Sequence, residues 1–127
     1  MRIDIYKKQA YEEFYNQTEY ISLISVDANK LNLWDYFYEP IENYINTIMR
    51  EKSVHAVVFY LNEKIFVSGI RNKDKVDIKF NYALSNLAID TNNSVYYIID
   101  KDVNYRNTRI AGMKIVFTTE YINEDIK

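Results

Sequence analysis

Between Val54 and Tyr82 the chain reads VHAVVFYLNEKIFVSGIRNKDKVDIKFNY, three apolar-rich runs broken only by the polar pieces Asn62-Glu63 and Asn72-Lys73-Asp74. Turns this short join antiparallel neighbours, because a parallel pair needs a crossover of a dozen residues or more. The stretch therefore predicts three strands, Val54 to Leu61, Lys64 to Arg71 and Lys75 to Tyr82, folded as an antiparallel meander. Glu63 suits the second position of a type I′ turn poorly, so the turn chemistry alone leaves the register of the first hairpin open.

With Asn62 and Glu63 as the turn, Tyr60 is expected opposite Ile65 and Val58 opposite Val67 on one face. Leu61 with Lys64, Phe59 with Phe66 and Val57 with Ser68 then lie on the other, and His55 falls opposite Ile70. Both faces carry large apolar groups. A half-solvated antiparallel sheet alternates apolar and polar residues, as the third strand does with Val76, Ile78, Phe80 and Tyr82 set against Lys75, Asp77, Lys79 and Asn81. The two-sided hairpin thus needs cover on each face, from one helix per face, from a curled sheet, or from another chain.

Outside this core the periodicity predicts two helices. Ala10, Tyr11, Phe14 and Tyr15 recur at helical spacing within Asp4 to Asn16. A second helix opens near Pro40, which suits a first helical position, and buries Ile41, Tyr44, Ile45, Ile48 and Met49 as one stripe. Glu42 near its start, and Arg50 and Lys52 near its end, match the helix dipole. The β-rich run TEYISLISV, Thr18 to Val26, predicts an additional strand, followed by a polar break at DANKLN. SVYYIID and TRIAGMKIVFTTEYI predict two more strands, with Gly112 as a bulge. ALSNLAI reads as a helical turn or an irregular link. The expectation is a single α+β domain over residues 1–127: two helices packed on a meander-like antiparallel sheet of about five to six strands.

The chain holds 127 residues without cysteine, and only three of them are Gly or Pro. Such a sequence can bury a full core without disulfides, and thiol chemistry and cysteine-ligated metals are excluded. A charged beginning and the lack of a long apolar run predict a cytoplasmic protein that does not engage a membrane. The abundance of Ile, Asn, Lys and Tyr is what A/T-rich codons produce, pointing to a low-GC bacterium, a phage or a mobile element. Residues 1–49 carry four basic and eight acidic side chains and residues 50–114 eleven and seven, a charge asymmetry that can steer association.

No residue set predicts catalysis, a metal or a cofactor. His55 is the single histidine and has no serine or acidic cluster near it in sequence for a triad. Asp100 to Asn104, DKDVN, matches the first half of a calcium loop, but Tyr105 stands where the loop needs Gly and Ala111 where it needs Glu; a polar turn is expected there. Arg71, Lys73, Lys75 and Lys79 with Tyr97, Arg106 and Arg109 mix cations and aromatic rings as single-strand binders do, although Asp74, Asp77, Asp100 and Asp102 interrupt them.

Residues Val54 to Tyr82 also resemble the hairpin-plus-strand stretch of the small staphylococcal-type uracil-DNA glycosylase inhibitors, in an aromatic-ended strand, a tight turn, a Gly-ended strand and an Asp-x-x-Phe-like strand. The resemblance covers under a quarter of the chain. It implies an inhibitor that mimics DNA with an acidic surface, whereas this segment is net basic, so no functional residue carries over.

The function expected from these features is non-catalytic binding of another protein, as an inhibitor, immunity or anti-defence protein does. Tyrosine-rich surfaces offer rigid contact area with a polar tip. The candidate contacts are Trp34, Tyr36, Phe37 and Tyr38 ahead of the second helix, and Phe59, Phe66 and Ile70 on the hairpin, with a homodimer through the sheet as the alternative partner. Nucleic acid is the competing ligand.

Overall fold

The computed structural model describes residues 2–90 and 92–122, with side chains from residue 5 onward. Helix α1 spans Arg2–Trp34 and helix α2 Tyr38–Ile48, followed by strands β1 (Val54–Leu61), β2 (Lys64–Asn72), β3 (Lys75–Ala83), β4 (Tyr96–Tyr105) and β5 (Thr108–Thr118). The five strands form one antiparallel sheet in the order β3-β2-β1-β5-β4. The meander therefore covers β1 to β3, while the β4–β5 hairpin attaches on the far side of β1.

Thr18 to Val26 is not a strand. It lies inside α1, a continuous helix of 33 residues, and DANKLN is helical too. The buried side of its second half is built from Thr18, Ile21, Ser22, Ser25, Asn29 and Leu33, while Tyr20, Leu23, Ile24 and Leu31 are exposed. Small polar residues can face a packed interior because they are hydrogen-bonded there: Thr18 Oγ1 donates to Tyr15 O, Ser22 Oγ to Thr18 O and Asn29 Nδ2 to Ser25 O within the helix, while Ser25 Oγ pairs with the Tyr44 hydroxyl of α2. With the polar residues inside and the aliphatics outside, the pattern of an amphipathic helix is inverted.

Helix α2 places Pro40 third rather than first, which the first turn tolerates because that N–H has no helical acceptor. It ends at Ile48, so Arg50 and Lys52 lie beyond it. The cation at its C-terminal end comes from β2: Arg71 donates to the carbonyl of Met49, the C-cap residue, and to those of Glu51 and Val54 beyond the helix.

Both helices cover the same face of the sheet. Ile41 and Ile45 of α2 and Phe14 and Ile21 of α1 pack with Val57, Phe59, Val67, Ile99, Met113, Ile115 and Phe117 in one core. The closest approach is at Gly69, where an added Cβ would lie under 3.0 Å from Ile45 Cγ2. Ala56, Val58, Ile65, Ser68 and Val116 point to the opposite face and are nonetheless fully buried. That face is crossed by the connection from β3 to β4, which must travel from one edge of the sheet to the other and brings Ala88 beside Ile70, Asp77 and Lys79. On this face, opposite α1 and α2, Ser68 Oγ meets the Tyr82 hydroxyl at 2.6 Å.

Three bulges correct the expected registers. Tyr60 does oppose Ile65, but Phe59 opposes Val67, leaving Phe66 as an extra residue. The same Phe66 bulge moves the rest of the β1–β2 ladder by one, so Ala56 rather than His55 opposes Ile70, and His55 is itself extra between Val54 and Ala56 against β5. On β5 the extra residue is Ile110, not Gly112. Gly112 instead gives room for the Tyr60 ring, whose Cζ an added Cβ would meet at 2.5 Å. DKDVN is part of β4 and forms no turn. At Asn62 the backbone is left-handed (φ 55°), so the unfavourable conformation falls on Asn rather than on Glu63.

Candidate functional site

The junction between the helices gathers the exposed aromatics. Helix α1 closes in a Schellman motif: Phe37 N donates to Asn32 O at 2.8 Å and Tyr36 N to Leu33 O at 3.3 Å. The motif requires a left-handed residue, normally glycine, and here Tyr36 occupies it with φ 58°. A side chain there costs about 1–2 kcal/mol. The Tyr36 ring recovers none of this by burial, being 72% exposed, and its neighbours Phe37 and Trp34 are 61% and 44% exposed.

Around this corner the sheet supplies further rings. Trp34 lies 4.9 Å from Tyr105 between ring centroids. Tyr38 stacks on Phe66 and on Phe80, each at 6.3 Å. The bulge at Phe66 lets Val67 take the place opposite Phe59 while the Phe66 ring stacks on Tyr38 of α2. Trp34, Tyr36, Phe66, Leu33, Leu61, Ile110 and the aliphatic stem of Arg109 line a cleft of about 440 Å³. Arg109 is held by Asp102 at 2.8 Å, which raises its pKa further.

The predicted contact residues divide. Trp34, Tyr36, Phe37, Tyr38 and Phe66 come together in this corner. Phe59 is fully buried under the helices and belongs to the core, on the same face of β1 as Val57. Ile70 is half-buried at the other end of the sheet, beside the crossing segment. Phe80 and Tyr105 are aromatic members of the corner that sequence reasoning missed; the β-alternation of Phe80 was visible, but Tyr105 followed an expected turn, and the position of neither beside α1 and α2 was legible.

The basic set does not assemble into one surface. Arg71 is occupied by the carbonyls of Met49, Glu51 and Val54 at the α2–β1 junction, and Tyr97 faces α1, its ring 5.0 Å from Tyr15 and 6.1 Å from Phe14. Lys73, Lys75 and Lys79 lie along the β3 edge, whereas Arg106 and Arg109 sit at the β4–β5 turn on the other side of the sheet.

His55 stacks on Tyr96 at 4.6 Å, and its Nε2 is 3.1 Å from the Tyr96 hydroxyl. Burial, and then the Arg71 charge, hold its pKa below the ordinary histidine value, with Glu120 opposing. On the same face Tyr60 donates to Asp100 at 2.6 Å; burial and the Asp100 bond push its phenol up to about 12. Among the described residues no group of acidic, His or Cys side chains is arranged to hold a metal, and no helix is long and apolar enough to cross a membrane.

No family model, curated protein or solved structure matches the chain.

Proposed function

We propose that this is a non-catalytic protein-binding protein, an antagonist of the inhibitor or immunity kind, and that the aromatic corner is the surface that meets its partner. The supporting observation is Tyr36: of the six left-handed residues among those described, all of them non-glycine, it alone carries an aromatic ring, and that ring stands in solvent. Backbone strain kept at an exposed aromatic points to a role outside the fold. Trp and Tyr dominate the energetics of protein interfaces, and Trp34, Tyr36 and Phe37 flank a cleft able to seat an apolar anchor. The composition fits a low-GC bacterium, phage or mobile element as the setting.

A photo-crosslinking residue at position 36, with a control at position 73 on the distant β2–β3 turn, tests the proposal in host extract. A single protein is expected to be captured from position 36 only, with capture lost on Phe37→Ser. Equal capture from both positions, or capture abolished by a competing polyanion, contradicts it.

A further inference from the structure

Strand β3 ends the sheet with an open edge, its residues Lys75, Asp77, Lys79 and Phe80 all exposed. The β2–β3 turn has two residues, with Asn72 opposite Lys75, so the turn's own hydrogen bond joins that pair. Bonded and non-bonded pairs then alternate along the ladder. Lys75, Asp77 and Lys79 direct their N–H and C=O groups at β2, while Val76, Ile78 and Phe80 direct theirs outward. Such a row of unpaired groups is a template for another strand, and lysines along it usually guard against indiscriminate pairing.

Here the charges do more than guard. The edge reads Lys-Val-Asp-Ile-Lys-Phe-Asn from Lys75 to Asn81, which is self-complementary about Ile78. Two antiparallel copies related by a twofold axis at Ile78 set Asp77 against Lys79 of the other copy, twice. Ile78 meets its own equivalent in a doubly hydrogen-bonded pair, and Val76 meets Phe80. Opposite charges directly across a ladder are stabilising and like charges destabilising. Moving the axis to Asp77 opposes the two Asp77 carboxylates and sets Lys75 against Lys79; moving it to Lys79 opposes the two ammonium groups. An axis at Val76 pairs Lys75 with Asp77, but the overlap then runs into the turn at Lys73–Asp74. One register therefore combines charge matching with full overlap.

The apolar face agrees with this register. Val76 and Ile78 are half-buried and Phe80 is 40% exposed, so the helix-bearing face of the sheet continues past its own cover up to the edge. We infer that the protein self-associates through β3, two copies forming one ten-stranded antiparallel sheet held by reciprocal Asp77–Lys79 pairs. The contact is smaller than a standard protein interface, which places it among weak, concentration-dependent dimers. The cleft lined by Trp34, Tyr36 and Phe66 contains no β3 residue, so each dimer presents two such clefts, with the Phe80 ring of each corner taken into the contact.

Sedimentation equilibrium on the full chain over a concentration series tests the inference, with Asp77→Lys and Lys79→Asp as variants. Both side chains are exposed on an edge, so circular dichroism is expected to show native folding. Each variant alone is expected to dimerise about tenfold or more weakly than the parent. An equimolar mixture of the two is expected to recover parental dimerisation, because each copy then offers the sign the other lacks. A parent that stays monomeric throughout, or single variants that dimerise as well as the parent, overturns the inference. So does a dimer lost on Leu23→Glu in α1 but not on Asp77→Lys.

Discussion

Replacing Gly69 by alanine probes the seat of α2 on the sheet. The added methyl would lie under 3.0 Å from Ile45 Cγ2, 3.1 Å from Ile78 Cδ1 and 3.3 Å from Val76 Cγ1. The last two contacts belong to half-buried side-chain ends that can shift. Ile45 is fully buried on a helix fixed at both ends by the core, so relief there requires moving α2. Overpacking of this kind costs about 1–3 kcal/mol. With an unfolding entropy of about 2.1 cal/mol/K per residue, the 127-residue chain should lose roughly 4–11 °C in Tm. The cause can be isolated by repeating the change in an Ile45→Ala background. That substitution alone costs about 2–5 kcal/mol as a cavity, but it deletes the obstructing Cγ2. Gly69→Ala should then be neutral or stabilising, since alanine is better placed in a strand than glycine. The coupling, read from thermal or urea denaturation of all four proteins, should be about 1–3 kcal/mol. An unchanged Tm for Gly69→Ala alone, or the same loss in both backgrounds, refutes the proposed packing of α2 on β2.

Other consequences follow from the same contacts. Arg71→Met removes the donors to three carbonyls and should cost about 2 kcal/mol by urea denaturation, with Arg71→Lys recovering only part because an ammonium cannot fork across them. Since the folded state holds the His55 pKa below its unfolded value near 6.5, the unfolded chain binds the extra proton first. The His55 contribution is therefore fully present above pH 6.5 and is lost as pH falls through that value toward the folded pKa; His55→Gln should remove this part of the stability–pH curve. In α1, Leu23→Gln should change stability by less than about 0.5 kcal/mol, whereas Ser22→Leu should cost about 1–3 kcal/mol by overpacking, the reverse of what residue type suggests.

The sheet was legible where alternation and turn length agree. β1, β2 and β3 begin and end as expected to within a residue, because the short polar turns at Asn62-Glu63 and Asn72 to Asp74 and the β-branched runs between them delimit the strands, though not the register of the first hairpin. The second half of α1 was hidden because its buried stripe is Thr18, Ser22, Ser25 and Asn29, residue types that sequence reasoning assigns to solvent, while Tyr20, Leu23 and Ile24 mimic a strand's apolar content. Periodicity also carries no signal for a bulge, so Phe66, His55 and Ile110 each shifted a register by one residue and changed which side chains face the helices. Trp34 to Tyr38 could be picked out as an aromatic cluster, but nothing local indicates that Tyr36 is left-handed; that follows from the Schellman bonds closing α1. Arg71 read as a free cation for the same reason, since its carbonyl partners come from residues 17 to 22 positions away.

Under the proposed function, Tyr36 is kept at a cost to the fold because the corner meets a partner. Trp34, the one tryptophan of the chain, reports on that corner directly. Peptides selected from a random library on the intact protein can be titrated while Trp34 emission is followed, against the parent and Tyr36→Gly. The account predicts that the selected peptides shift Trp34 emission to the blue, and that Tyr36→Gly binds them several-fold more weakly while gaining about 1 kcal/mol in stability. Peptides that bind both proteins equally with no change in emission, or a Tyr36→Gly protein less stable than the parent, would contradict it.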